Sequence, residues 1–182
     1  MVMKFKKIAI IGKYPSSEET KDIHDQLIQL ITHLSKKNID LIIEEKTQKQ
    51  IKLNKFKSLP LNEIGKQVDI AIVVGGDGTM LGVARALLDN GIPLIGINKG
   101  RFGFLADLNI DSMLTNIDNI LDGLYIQDNR MLIETTVVRN KKIIYESFAL
   151  NDIVIRSGLR LIELEVIIDG RFVHTQRSDG LI

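Results

Sequence analysis

Gly75-Gly76-Asp77-Gly78-Thr79 is the segment whose residue types could do chemistry. Glycines at 75, 76 and 78 allow backbone N–H groups to come close to phosphate oxygens, and the apolar run 68–74 delivers the chain straight into them. A carboxylate in the middle of such a turn has two uses. Asp77 can take the proton of an attacking hydroxyl, or hold a Mg²⁺ that bridges phosphates. Thr79 can cap the following helix or bind a phosphate. The plainer alternative is an ordinary strand–helix turn with Asp77 as N-cap. The Walker pattern is absent, because no Gly-Lys-Ser/Thr follows, and so is the Gly-x-Gly-x-x-Gly of dinucleotide sites. The local chemistry points to phosphoryl transfer.

Two further polar constellations stand out. Asn151-Asp152 lies between the apolar stretches Phe148-Ala149-Leu150 and Ile153-Val154-Ile155. Both residue types are depleted in strands and costly to bury alone. The pair is either a bulge or wet edge position, or an amide and carboxylate aimed at ribose hydroxyls. Arg177-Ser178-Asp179 is a second polar knot at a strand end, which in isolation reads as a surface turn. Gly100 and Gly103 bracket Arg101-Phe102 in a loop that needs a tight backbone approach. Arg101 could reach a phosphate or simply be solvated. His24, His33 and His174 show no ligand spacing, and there is no cysteine, so no thiolate or zinc site and no disulfide framework is indicated.

The elements that must position these residues follow from periodicity. Residues 7–12 form a buried strand closed by Gly12 and Pro15. Ser16 and Glu19 can form a capping box, and Ile23, Leu27, Leu30, Ile31 and Leu34 make one apolar helix face ending near Asn38. Residues 39–43 form a second strand. Residues 46–66 lack clear period and read as a loop with a short helical piece. The strand before Gly75 comes next, then a helix through Met80, Leu81, Ala84, Leu87 and Leu88, stopped by Asn90-Gly91. Residues 93–97 are another buried strand, and a helix over 111–121 with Asp111 as N-cap closes this half. Alternating strands and helices joined by short turns predict an α/β domain over residues 1–124, a Rossmann-like parallel sheet with helices on both faces.

Beyond Asp122-Gly123 the period becomes that of strands. Residues 130–139, 142–156, 161–168 and 171–177 are strand-like, separated by Asn140-Lys141, Ser157-Gly158 and an Asp169-Gly170 hairpin turn. Residues 125–182 therefore begin an all-β, antiparallel, sandwich-like second domain, most simply a meander. Four strands leave a face with too little chain to cover it, and the chain stops on two apolar residues. A β domain truncated at its C-terminal side is the expectation.

The 182 residues are 45% hydrophobic and 26% charged with a formal net charge of +1, which offers no electrostatic reason for a nucleic-acid partner. No apolar run approaches the ~18–20 residues of a membrane span, and residues 1–7 lack the apolar core of a signal peptide. A cytoplasmic location is expected.

Taken together, the motifs resemble those of bacterial NAD kinases. The order and spacing match at Gly75-Gly76-Asp77-Gly78-Thr79, at Ile95-Gly96-Ile97-Asn98-Lys99-Gly100-Arg101-Phe102-Gly103-Phe104-Leu105, at Leu150-Asn151-Asp152 and at Gln176-Arg177-Ser178-Asp179-Gly180-Leu181-Ile182. The glycine motif alone is shared with diacylglycerol- and sphingosine-type lipid kinases and with phosphofructokinases, whereas the second and fourth stretches are far more specific. The resemblance implies transfer of the ATP γ-phosphoryl group to the 2′-hydroxyl of the adenosine ribose of NAD, giving NADP. It implies that Asp77 is the general base, that Asp77 and Gly78 lie on the nucleotide, and that Asn151, Asp152, Arg177 and Asp179 hold NAD. Arg160 is the nearest match to a basic residue that the family often carries past the Asn-acid pair. Mg²⁺ or another divalent cation, ATP and NAD are the implied cofactor and substrates, and a homo-oligomer is implied for the full-length protein. The family continues past Asp-Gly-Leu-Ile into a Thr-Pro-Thr-Gly-Ser-Thr-Ala-Tyr segment, so the present chain is expected to be an N-terminal part, inactive or unstable alone. Two rivals remain: a lipid kinase using the same loop, and a nucleotide-binding module without turnover.

Overall fold

The computed structural model describes residues 5–12, 20–98, 103–106 and 108–182, with side chains in the first helix from His24 onward. The capping box at Ser16 and Glu19, the Ile23 side chain and the Lys99–Phe102 part of the glycine-bracketed loop lie outside the described residues. The chain divides into two compact units, Met1–Asn129 and Arg130–Ile182.

In the first unit the chain runs β1 (Lys7–Gly12), α1 (Thr20–Ser35), β2 (Asp40–Glu44), α2 (Glu45–Ile51), β3 (Lys57–Leu59), α3 (Leu61–Ile64), β4 (Ile70–Val74), α4 (Asp77–Ala86), β5 (Leu94–Asn98), β6 (Leu108–Asn109) and α5 (Met113–Leu121). The strands form one parallel sheet in the order β3-β2-β1-β4-β5-β6. Successive side chains of a strand point to opposite faces, so a strand buried on both sides must be apolar throughout. In β1, Ile8 and Ile10 pack with Leu27, Leu30, Ile31 and Leu34 of α1 and with Met113, Ile117 and Leu121 of α5. Ala9 and Ile11 face the other way, toward Ile64, Val83 and Leu87. The doubly wound α/β architecture expected from the alternating pattern is therefore present, with a core on each face.

Several local features differ from the sequence expectation. Residues 46–66 are not a loop: they hold α2, the edge strand β3 and α3. These elements are only seven, three and four residues long, too short for a period to emerge. Helix α2 is held by tertiary contacts, with Thr47 and Ile51 buried and the Glu44 carboxylate accepting from Thr47 N–H. The cap before α5 is also displaced. A 3₁₀ turn, Ile110–Ser112, precedes the helix, and the capping side chain is Asn109, which accepts from Asp111 N–H at 3.0 Å. Asp111 is the middle residue of that turn, and it donates its N–H to the cap. Helix α4 ends earlier than expected, at Ala86 with Leu87 as its C-cap; a 3₁₀ turn, Leu88–Asn90, follows, and it is this turn that Gly91 closes at φ +60 through Leu88 O.

One tie locks the amino ends of β1 and β4, and a second joins two helices. Asp69 Oδ2 accepts from Lys6 N–H at 2.8 Å and Lys7 N–H at 2.9 Å. These backbone hydrogen bonds, Lys7 first, hold the Asp69 carboxyl below its ordinary value, outweighing a small effect of burial. Asp118 of α5 meets His33 Nε2 at 2.7 Å and Lys37 Nζ at 2.9 Å, joining α5 to the end of α1. Burial raises the Asp118 carboxyl, but the hydrogen bonds from His33 and Lys37 outweigh it and leave it lowered.

The second unit contains β7 (Ile133–Arg139), β8 (Lys142–Ala149), β9 (Ile155–Arg156), β10 (Ile162–Ile168), β11 (Arg171–Ser178) and β12 (Gly180–Leu181), all paired antiparallel. The turns follow from their residues. Asn140 and Lys141 (φ 50 and 60), and Asp169 and Gly170 (φ 51 and 74), take the two left-handed conformations that match the twist of a tight hairpin. A single meander is not formed. The strands pair as three separate ladders, β7-β8, β10-β11 and β9-β12. The stretch expected as one strand over 142–156 breaks after Ala149, because Asn151 and Asp152 leave the ladder.

Candidate functional site

The five residues of β4 are all buried, and the strand hands the chain to Gly75 at the carboxyl edge of the sheet. Gly75 N–H still donates to Ile97 O at 2.9 Å, so the ladder with β5 extends one residue into the glycine loop. Thr79 folds back against Gly75: a Cβ at position 75 would sit 2.7 Å from Thr79 Oγ1 and 2.9 Å from Thr79 Cβ. Only glycine allows that approach. Gly76 is the extended N-cap of α4, and its carbonyl accepts from Thr79 N–H (2.9 Å) and Met80 N–H (3.2 Å). Asp77 is thus the first residue of the helix and not its cap.

The Asp77 carboxylate is held from across the sheet edge. Phe104 N–H donates to Oδ2 at 2.8 Å and Leu105 N–H to Oδ1 at 3.2 Å. Gly103 makes room for it, since a Cβ there would lie 2.1 Å from Asp77 Oδ1. This is the tight backbone approach expected of that loop. Each carboxylate oxygen accepts one backbone hydrogen bond, which leaves further acceptor capacity on both. The arrangement fixes the side chain while keeping it able to accept a proton or touch a cation.

The sheet order reverses direction between β1 and β4, and at that switch the carboxyl ends of the strands open a crevice. A cleft of about 460 Å³ lies there, lined by Ile11 and Gly12 from β1, Leu61, and Gly76, Gly78, Thr79, Gly82 and Val83. Its glycines at 76, 78 and 82 have nothing within 4 Å of a would-be Cβ, so this wall is bare backbone at the start of a helix. Most of the lining is apolar, and what it offers an anion is the first N–H groups of α4, at Asp77 and Gly78, with the helix dipole.

In the second unit the chain exchanges one pairing partner for another on either side of Asp179. Strand β11 pairs with β10 up to Ser178, opposite Ile162, and then β12 pairs with β9, with Gly180 opposite Arg156 and Leu181 opposite Ile155. Residues 157–161, which carry Arg160, bulge out opposite Asp179, and Ser157 N–H donates to Asp179 O at 2.8 Å. Gly180 is required for this crossing, because a Cβ would lie 2.4 Å from Ile155 O. Ser178 Oγ donates to Gly180 O at 2.6 Å. Arg177 stands opposite Glu163, and the Asn151-Asp152 pair lies three residues before β9. Asn151, Asp152, Arg160, Arg177 and Asp179 are all exposed. Asn151-Asp152 sits in a connection and not in mid-strand, so it carries no burial cost. Asp77 and Gly78 belong to the first unit and these five residues to the second.

Sequence reasoning did not find the Phe104 and Leu105 amides as the partners of Asp77, although Gly103 was the signal. It also missed a buried group beside the cleft: Thr47 Oγ1 accepts from Gly12 N–H and donates to Glu44 Oε2. Among the described residues no three His, Asp or Glu side chains gather in a way that could hold a metal ion. No helix among them is long and apolar enough to cross a membrane.

A parallel sheet in this strand order, with a glycine turn and a bound carboxylate at its switch point, defines a doubly wound α/β domain whose ligand crevice is at the strands' carboxyl ends. The family model for the ATP-NAD kinase N-terminal domain matches residues 8–125. The chain belongs to the NAD kinase family. It is 43% identical over 180 residues to an NAD kinase of Nitrosomonas eutropha, covering 98% of this chain and 60% of that protein. It is 41% identical over 185 residues to an NAD kinase of Aromatoleum aromaticum, covering 100% of this chain and 60% of that protein. The chain thus spans about 60% of the length of the curated relatives it matches. Among solved structures it is similar in fold to yeast NADH kinase complexed with NADH, at a TM-score of 0.81 and 20% identity over 96% of this chain and 56% of that one. An NAD kinase from Archaeoglobus fulgidus in complex with ATP has a TM-score of 0.58 at 22% identity, over 96% of this chain and 58% of the other.

Proposed function

We propose that the protein carrying this chain is an NAD kinase that transfers the ATP γ-phosphoryl group to the 2′-hydroxyl of the adenosine ribose of NAD, giving NADP and ADP. The observation that carries the reading is the Asp77 carboxylate, placed at the first residue of α4 beside a cleft of bare glycine backbone and fixed by two amides of the next loop. The membership in the NAD kinase family and the naming of relatives above 40% identity support the choice of acceptor.

In this reading the ribose 2′-oxygen attacks the γ-phosphorus, its proton passes to Asp77, and the bond from phosphorus to the ADP oxygen breaks. The transition state of phosphoryl transfer is loose, so positioning and charge neutralisation provide most of the acceleration, and a base contributes ~10²–10⁴-fold. Gly78 and Asp77 lie on the nucleotide. Asn151 and Asp152 hold the ribose and its neighbours, and Arg177, Asp179 and Arg160 hold the rest of NAD, from exposed connections where polar side chains cost nothing to present. A divalent cation such as Mg²⁺ neutralises phosphate charge when bound. Asp77 takes the proton in this reading, so the cation would be held by the nucleotide's phosphate oxygens and water, as Mg²⁺ is when it keeps most of its own shell. The yeast structure with NADH and the Archaeoglobus structure with ATP concern relatives that bind these nucleotides, and the same ligands are proposed here. A homo-oligomer in the cytoplasm completes the proposal.

The test is the full-length gene product assayed with ATP, Mg²⁺ and NAD, with sphingosine and diacylglycerol as alternative acceptors. NADP formation is expected. Phosphorylation of a lipid with none of NAD, or nucleotide binding without turnover, overturns the reading.

A further inference from the structure

At the carboxyl end of β1 lies a buried polar relay with no part in the chemistry above. Gly12 N–H donates to Thr47 Oγ1 at 2.9 Å, and Thr47 Oγ1 donates to Glu44 Oε2 at 2.9 Å. Thr47 N–H donates to the same carboxylate oxygen at 2.8 Å. Thr47 is 0% and Glu44 2% exposed, and Gly12 is also buried. The direction of the relay is dictated by its members. A backbone amide can only donate, so the threonine hydroxyl accepts from Gly12 and its own single proton goes to Glu44 Oε2. In a dry site such bonds are strong and directional.

The position of the relay matters more than its stability. Gly12, at the end of β1, lines the same cleft as Gly76, Gly78 and Gly82 at the start of and within α4. A Cβ at Gly12 would lie 2.7 Å from Leu27 Cδ1 and 3.3 Å from Thr47 Cγ2, so α1 and α2 both press on this residue. The relay turns the Gly12 amide inward and sets where the end of β1 stands relative to the glycine start of α4.

We propose that Thr47 and Glu44 are positioning residues for the phosphate-bearing ligand of this cleft, acting through the Gly12 backbone to fix the cleft's width. The proposal rests on the NAD kinase reading for the identity of that ligand. It assigns neither residue any contact with substrate. The phosphates recognised could be those of ATP or those of NAD, and the two are separated by varying one at saturating amounts of the other.

The experiment compares Thr47→Val, which keeps the shape and removes the hydroxyl, with Thr47→Ser, which keeps the hydroxyl and removes the methyl, in the full-length protein. For Thr47→Val, KM for one of the two nucleotides is expected to rise about fivefold or more while kcat stays within about twofold, and Thr47→Ser is expected to restore KM. Loss of packing alone would make the serine variant at least as impaired as valine. That outcome, or unchanged KM for both nucleotides in a folded Thr47→Val protein, overturns the proposal. If the valine variant does not fold, Thr47→Cys takes its place, because a thiol of similar volume is a weak donor and acceptor and should give an intermediate KM. If the wild-type protein makes no NADP, the kinase reading fails by itself. Calorimetric titration of the same variants with ATP and with NAD then tests the relay, with weaker binding in Val and recovery in Ser expected, and equal binding in all three overturning it.

Discussion

Asp77 and Phe104, 27 residues apart in the chain, are joined by a 2.8 Å hydrogen bond from the Phe104 amide to Asp77 Oδ2. The bond ties the head of α4 to the segment that follows β5. It means that the candidate base is aimed by backbone from the connection after β5, and that its geometry depends on residues with no reactive group of their own.

Asp77→Asn is expected to lower kcat by ~10²–10⁴-fold while ATP and NAD binding, read by calorimetry, stays within a few-fold. The carboxamide presents an oxygen to one of the Phe104 and Leu105 amides and an NH₂ to the other. Lost binding with unchanged turnover would make Asp77 a substrate anchor and not the base.

Gly103→Ala tests the aim without touching the carboxylate. The new methyl would stand 2.1 Å from Asp77 Oδ1, so either the loop or the carboxylate must move. Steady-state kinetics should show kcat reduced about tenfold or more, since misplacement by an ångström is costly, with the melting temperature changed by less than about 5 °C. Wild-type kcat in this variant would show that the loop does not aim the side chain.

Gly180→Ala is the corresponding test in the second unit. Its Cβ would meet Ile155 O at 2.4 Å, which forces β12 away from β9 and displaces Asp179 from the Ser157 amide. KM for NAD should rise about tenfold, with KM for ATP little changed. Equal effects on both nucleotides would contradict the assignment of this region to NAD.

Acid stability should carry the signature of Asp69 and Asp118. Both carboxyls lie below their ordinary value in the folded chain, Asp69 through the Lys7 and Lys6 amides, Asp118 because His33 and Lys37 outweigh its burial. A group whose folded value is depressed stabilises the fold above its unfolded value, and that contribution is lost as pH falls through the folded one. Asp69→Asn keeps an acceptor for the amides but loses the charge. Its melting temperature should fall below wild type near pH 6, and the gap should narrow toward about pH 3. A gap that is constant or widens on acidification would remove Asp69 from the acid limb. The effect is modest, because Asp69 is exposed.

The parallel sheet was legible because a strand buried on both faces has to be apolar along its whole length. The runs at 7–12 and 68–74, and the helix face at Leu27, Leu30, Ile31 and Leu34, carry that requirement openly. The short elements between residues 46 and 66 were not legible. With three to seven residues each they have no measurable period, and α2 depends on the burial of Thr47 and Ile51.

Local chemistry was likewise written in the chain: a glycine turn with a central carboxylate after a buried strand, hairpin turns at Asn140-Lys141 and Asp169-Gly170, a polar pair at Asn151-Asp152. Each of these depends on residues a few positions apart. Tertiary structure alone decided that Asp77 is held by the Phe104 and Leu105 amides, that Thr47 joins Gly12 to Glu44, and that the chain leaves β10 at the end of β11 and joins β9 as β12, on either side of Asp179. The reason is physical. A residue's type limits which bonds it can make, but the partner is whatever group the folded backbone brings within about 3 Å, and these partners arrive from distant parts of the chain.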